Sequence, residues 1–195
     1  MIDLEYPEEA TPIDPDEAQG LLLTHITTRG ELDRWEQDNI AEALAWLEKT
    51  KPKDILNEDF VRKLHKRMFG NVWKWAGLFR QSDKNIGGPW WQISTDLKIL
   101  CDDARLWIDR RDAPLDGIAV RFHHRLVLVH PFPNGNGRHA RLMADLLLEN
   151  ILDQPRFTWG SVNLSNTNDA RRRYIEALHA ADKLDYQPLL KFARS

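Results

Sequence analysis

Hydrophobic residues recur at helical spacing through most of the chain. From Glu31 to about Thr50, the residues Leu32, Trp35, Ile40, Ala43, Leu44 and Leu47 fall near one face of a predicted helix. Thr27 or Thr28 is placed to cap it, and Pro52 breaks the pattern. Asn57 caps a second predicted helix over 58–69, with Phe60, Val61, Leu64 and Met68 facing inward and Gly70 as the stop. Helical spacing returns over 95–110, 116–130, 137–151 and 169–181, with a short helix near Tyr186–Phe192. Residues 71–94 differ. Trp73, Trp75, Phe79, Trp90 and Trp91 mix with Gly77, Gly87 and Gly88 without a helical period, which predicts a loop or short hairpin. Pro155 to Asn168 reads as loop. Residues 1–20 carry Pro7, Pro12, Pro15 and many acids and read as an extended arm. The pattern predicts an all-α fold with a short β element. Residues 1–50 form an arm and helix, and 51–195 a single compact unit.

Composition narrows the function classes. A chain of 195 residues fits one domain with a substantial core. A net charge of −3, with both signs mixed, argues against general nucleic-acid binding. The single cysteine, Cys101, cannot pair within the chain, so nothing points to an oxidising compartment. Its neighbours Leu97, Leu100 and Ala104 predict a buried, inert thiol. The first residues lack a basic stretch followed by an apolar run, and no segment is apolar enough to span a bilayer. The expectation is a cytoplasmic protein with no membrane partner.

The segment richest in chemistry is His130-Pro131-Phe132-Pro133-Asn134-Gly135-Asn136-Gly137-Arg138-His139-Ala140-Arg141. A helix ends near His130, a tight loop follows, and a new helix starts at the glycines. The first turn of a helix presents unpaired N–H groups and the positive end of the helix dipole, so it attracts anions. Glycines let a phosphate approach the backbone. Arg138 and Arg141, three apart, share a helix side and can fork onto phosphate oxygens. A histidine beside such a cradle can take a proton from an attacking hydroxyl. Asn134 and Asn136 supply neutral polar groups to the phosphate, a metal-bound phosphate or the loop itself. Taken singly, Asn-Gly-Asn-Gly is an ordinary turn, a helix-end histidine a cap, and two arginines a solvated face. Their order within one short segment is what points to a nucleotide triphosphate.

That segment resembles the signature of the Fic/Doc family, H-P-F-x-[D/E]-G-N-G-R-x-x-R, at all fixed positions but one. Trp75-Ala76-Gly77-Leu78-Phe79-Arg80 is similar to the stretch leading into that family's substrate flap, and Ala180–Asp185 with Pro188-Leu189 to its ending. Ile26-Thr27-Thr28 through Ile40, Asn85-Ile86-Gly87, Pro89–Ile93 and Phe122–Arg125 resemble the subfamily called mobile mystery protein B. The resemblance implies an all-α Fic-type fold with a short β-hairpin flap. It implies a protein adenylyltransferase that moves AMP from ATP, with Mg2+, to a Ser, Thr or Tyr hydroxyl of a target protein. His130 would be the catalytic base and Phe132 a core anchor. Gly135, Asn136 and Gly137 would form the anion hole, Arg138 would hold the β- and γ-phosphates, and Arg141 the γ-phosphate. Ile86, Gly87, Trp90 and Trp91 would form the flap and bind the target. The departure is Asn134, which replaces the acidic magnesium ligand with a poorer one.

Many members carry an inhibitory helix, [S/T]-x-x-x-E-[G/N]. Thr27-Thr28-Arg29-Gly30-Glu31 fits all but its last position, where Leu32 stands, and makes Glu31 the inhibitory candidate, with Glu36 as the alternative. His123 and His124 have no zinc-type spacing with other ligands and are expected to pack near the catalytic loop. Arg171-Arg172-Arg173 reads as a solvated face. Two other functions remain: a Doc-like phosphotransferase, and a catalytically weak nucleotide-binding module suggested by Asn134. A toxin-like role with an antitoxin or other regulatory partner, and a homo-oligomer, stay open.

Overall fold

The computed structural model describes residues 15–111, 113–160 and 167–195. A short turn of helix, α1 (Pro15–Ala18), precedes α2 (Arg29–Thr50) and α3 (Glu58–Phe69). Then follow α4 (Ile93–Arg110), α5 (Leu115–Val129), α6 (Asn136–Asn150), α7 (Thr167–Asp182) and α8 (Gln187–Ala193). The predicted arm over residues 1–20 lies outside the described residues up to position 14, and the loop 155–168 does so over 161–166.

Local chemistry sets the helix boundaries. Thr28 caps α2 through its side chain, and Glu31 reaches back to the cap backbone, a reciprocal capping box. Asn57 caps α3 by accepting from the Phe60 N–H. The α2 stripe that faces the core is Leu32, Glu36, Asn39, Ala43 and Leu47. Trp35, expected inward, is 43% exposed. The apolar count placed the face one residue off, because two of its inward positions are polar.

The helices α5 and α6 form the central hairpin. α5 packs against α6, α4 and α8, while α3 packs on α2, α6 and α4. In α6 nearly every residue from Ala140 to Leu148 is buried, so this helix is the axis of the core. Cys101 is buried on α4, and burial pushes its thiol up to about 11, which leaves it protonated and inert.

The aromatic and glycine-rich segment is not a hairpin. Among the described residues the only strand-like pairing is a bridge between Leu21 and Trp73. Residues 80–89 run as a loop and close in a single 3-10 turn, Trp90–Gln92, at the start of α4. The reason lies in its hydrogen bonds: the loop carbonyls of Ser82 and Gly88 bond to the Arg80 side chain, not to a facing strand. No helix among the described residues is long and apolar enough to cross a membrane.

Candidate functional site

The α5–α6 connection carries the signature. His130 ends α5 in the left-handed region at φ 49°, an uncommon conformation for a residue with a side chain. Gly135 starts α6 in the same region at φ 78°, and a Cβ there would meet Phe69 at 2.7 Å, so only glycine fits. Between them, Asn136 clips the loop shut. Its Oδ1 accepts from the Phe132 N–H at 2.9 Å, and its Nδ2 donates to the Phe132 carbonyl at 2.8 Å. The side chain is thus spent on the loop. The first helical hydrogen bond of α6 runs from His139 N to Gly135 O. The N–H groups of Asn136, Gly137 and Arg138 therefore precede the helical ladder, at the positive end of the helix.

The loop rests on a buried histidine that the sequence reading missed. His65, on α3, stacks on the Phe132 ring with centroids 3.7 Å apart. Its Nδ1 accepts from the Gly77 N–H at 3.0 Å, so its Nε2 carries the proton and donates to the Asn134 carbonyl at 3.0 Å. Burial holds this ring well below the usual histidine range. His139 bonds the Val61 carbonyl from α6 at 3.0 Å. His65 lies on the core stripe of α3, where it reads as a spacer; only the fold brings it to the loop.

His130 is 5% exposed. Burial, then the positive charges of Arg80 and Lys84, push its imidazole down to about 4. At neutral pH it is uncharged and able to accept a proton. Arg80 itself is buried and bonds the His130 carbonyl. Asn134 turns its Oδ1 to the Gly135 N–H at 2.7 Å.

The two arginines have different company. The Arg138 Nη1 donates to Glu36 Oε2 at 2.7 Å, and its guanidinium lies 4.8 Å over the Phe69 ring. Glu36 is 3% exposed, and its other oxygen accepts from the Trp73 indole N–H at 2.6 Å. Arg141 lies 5.4 Å over the Tyr174 ring, and the Tyr174 hydroxyl bonds His123 Nε2 at 3.0 Å. Glu31 does not reach the site. It is exposed and bonds the backbone N–H groups of Thr27 and Thr28, which lowers its carboxyl below the usual range. On α2 it is therefore Glu36, the alternative, that meets a signature arginine, and the arginine is the first of the pair. The motif match at Glu31 marks a capping box, whose T-x-x-E spacing overlaps the inhibitory pattern.

In the flap, Trp91 is 64% and Trp90 41% exposed, while Ile86 is half-buried and Gly87 lies against His130. His124 is buried and pairs with Asp182 of α7 at 2.8 Å. Neither it nor His123 belongs to a group of metal-ligating residues, none of which occurs among the described residues.

Known proteins resemble this arrangement. The model of the Fic/DOC family matches residues 55–148. The chain is 31% identical over 143 residues to the protein adenylyltransferase Fic of Aedes aegypti, covering 71% of this chain and 27% of that one. It is 29% identical over 152 residues to protein adenylyltransferase fic-1 of Caenorhabditis elegans, covering 73% and 27%. The chain thus spans about a quarter of the length of these relatives. Among solved structures, C. elegans Fic-1 superposes with a TM-score of 0.63 at 26% identity, over 80% of this chain and 46% of that one. The BepC protein of Bartonella tribocorum, solved with bound AMPPNP, superposes with a TM-score of 0.66 at 17% identity, over 88% and 89%. Through its family-model match, its relatives and its fold, the chain carries a Fic/DOC-family domain spanning residues 55–148.

Proposed function

We propose that the domain is a protein adenylyltransferase that transfers AMP from ATP to a Ser, Thr or Tyr hydroxyl of a target protein. The observation that carries this reading is the neutral, buried His130 placed directly before an α6 N-terminus with Arg138 and Arg141 in its first turns. The two relatives described above are protein adenylyltransferases, which supports it. In this reading the N–H groups of Asn136, Gly137 and Arg138 and the two guanidinium groups bind the phosphates. The target hydroxyl oxygen attacks the α-phosphorus, the bond to the β-phosphate breaks, and pyrophosphate leaves. His130 takes the hydroxyl proton and later releases it to solvent. Trp90, Trp91, Ile86 and Gly87 present the flap to the target.

The residues present do not make a protein-held magnesium site. Asn134 is a neutral amide whose Oδ1 bonds the Gly135 N–H, and the signature has no carboxylate. Magnesium would reach the site on the nucleotide. Glu36 neutralises Arg138, the group meant for the β- and γ-phosphates, and so restrains the enzyme. In this reading residues 1–50 are an arm and an inhibitory helix, and 51–195 the Fic domain. A cytoplasmic home, the mobile mystery protein B subfamily and control by a partner protein remain parts of this proposal.

The Glu36–Arg138 pair and Asn134 favour one second reading, a weak nucleotide-binding module. ATP labelled on the α- or γ-phosphate separates the cases. Adenylyl transfer puts α-label on protein, a Doc-like phosphotransferase puts γ-label there, and a binding module puts neither.

A further inference from the structure

Arg80 holds the flap loop and the start of the signature together from inside the protein. Its side chain is fully buried. Nε donates to the His130 carbonyl at 2.7 Å, Nη1 to the Ser82 carbonyl at 2.8 Å, and Nη2 to the Gly88 carbonyl at 2.6 Å. The Arg80 backbone N–H donates to the Pro131 carbonyl at 3.0 Å. The carboxylate of Asp83, mostly exposed, lies 3.7 Å from Nη1 and accepts from the Trp90 N–H at 3.0 Å. Gly87, at φ 103°, completes the junction: a Cβ there would stand 2.8 Å from Arg80 Nη2 and 2.9 Å from His130 Cβ. One guanidinium thus joins both ends of the flap loop to the His130 carbonyl, and the backbone N–H of the same residue holds the next carbonyl of the signature, that of Pro131.

Stability alone does not ask for this residue. Burying a cation is costly, and apolar groups of similar volume commonly serve a core as well or better. What only arginine supplies is three donors in a rigid fork, each aimed at a different carbonyl. The left-handed backbone at His130 also needs something outside the helix to hold it.

We infer that Arg80 is a positioning residue that locks the flap loop to His130, so that a target segment bound on the flap is held in register with the base. The flap and the base move as one body. A shift of the Gly87–Gly88 end alters the His130 carbonyl through a single side chain. The inference rests on the proposed role of His130.

Arg80→Lys keeps the charge and loses the fork. Gly87→Ala disturbs the same junction from the flap side and leaves Arg80 in place. Each variant is expected to lower kcat for transfer on the order of 10- to 100-fold, the scale of a small misplacement of reacting groups. KM for ATP and ATP affinity by calorimetry should stay within about twofold of the parent. The double variant should be no slower than the slower single, because both act through one junction. A purely structural role would instead lower the melting temperature and ATP binding together with kcat. Parallel loss of all three, or additive losses in the double variant, overturns the inference. The His130 imidazole signals in nitrogen-15 NMR give a readout independent of transfer. Both variants should shift them, and unshifted signals would also overturn it. If the parent transfers no AMP but these signals do shift, the proposed activity fails while the mechanical link stands.

Discussion

Glu36 Oε2 lies 2.7 Å from Arg138 Nη1, joining the middle of α2 to the first turn of α6 across 102 positions of sequence. The Trp73 indole holds the other carboxylate oxygen at 2.6 Å, so the acid is aimed and not merely near. A buried carboxylate bonded to Nη1 neutralises the Arg138 charge and occupies one arm of its fork, which weakens its hold on phosphate. Glu36→Gly should therefore raise the rate of protein modification, by about 10-fold or more if Arg138 is worth a charge-assisted contact. Glu31→Gly removes half of a capping box, so it should fray the first turn of α2 and leave the rate unchanged. Equal rates in Glu36→Gly and the parent would show that the pair does not restrain the site.

Asn134→Asp places a carboxylate where this chain has an amide. A hard cation binds charged oxygen better. The Mg2+ concentration for half-maximal transfer should fall in the variant. An unchanged metal requirement would mean that position 134 does not face the metal-bound phosphates.

Four histidines set the acid limit of stability. Burial holds His65 well below the usual range, His123 and His139 down to about 3, and His130 down to about 4, all from an ordinary 6.5. Each binds a proton more readily unfolded than folded, so stability is full above about pH 6.5 and falls as pH drops through the interval below it. Asp145 works the other way. Burial raises it to about 6, so it favours the folded state as it protonates, but it is one group against four. Melting temperatures should hold level from pH 8 to 7 and decline from pH 6.5 to 5. A flat profile down to pH 5 would contradict the neutral assignment of these rings.

Much of this was legible in the sequence. Asn57, Thr28 and the spacing of Phe60, Val61, Leu64 and Met68 set their helices because caps and apolar faces are local signals. The order of residues from His130 to Arg141 marked the candidate site for the same reason. What was not legible is long-range. His65, Arg80 and Trp73 act on residues 50 or more positions away or through partners on another element, and nothing near them in sequence announces it. The α2 face was misjudged at Trp35 because Glu36 and Asn39 broke its apolar pattern. Polar residues on an inward stripe were themselves the signal, since a buried carboxylate needs a partner. The hairpin expected near Trp90 failed because Arg80, and not a facing strand, satisfies the loop carbonyls.

The most direct test of the account compares two variants by intact-mass spectrometry after incubation with ATP, Mg2+ and target-containing lysate or the protein alone. Glu36→Gly should yield protein heavier by one adenylate per site. The same variant carrying His130→Ala should yield none and still bind ATP, because losing a general base costs ~10²–10⁴-fold in rate. Adenylate addition at an equal rate in both would remove His130 from the reaction, and a gain of a single phosphate in place of adenylate would contradict the proposed transfer.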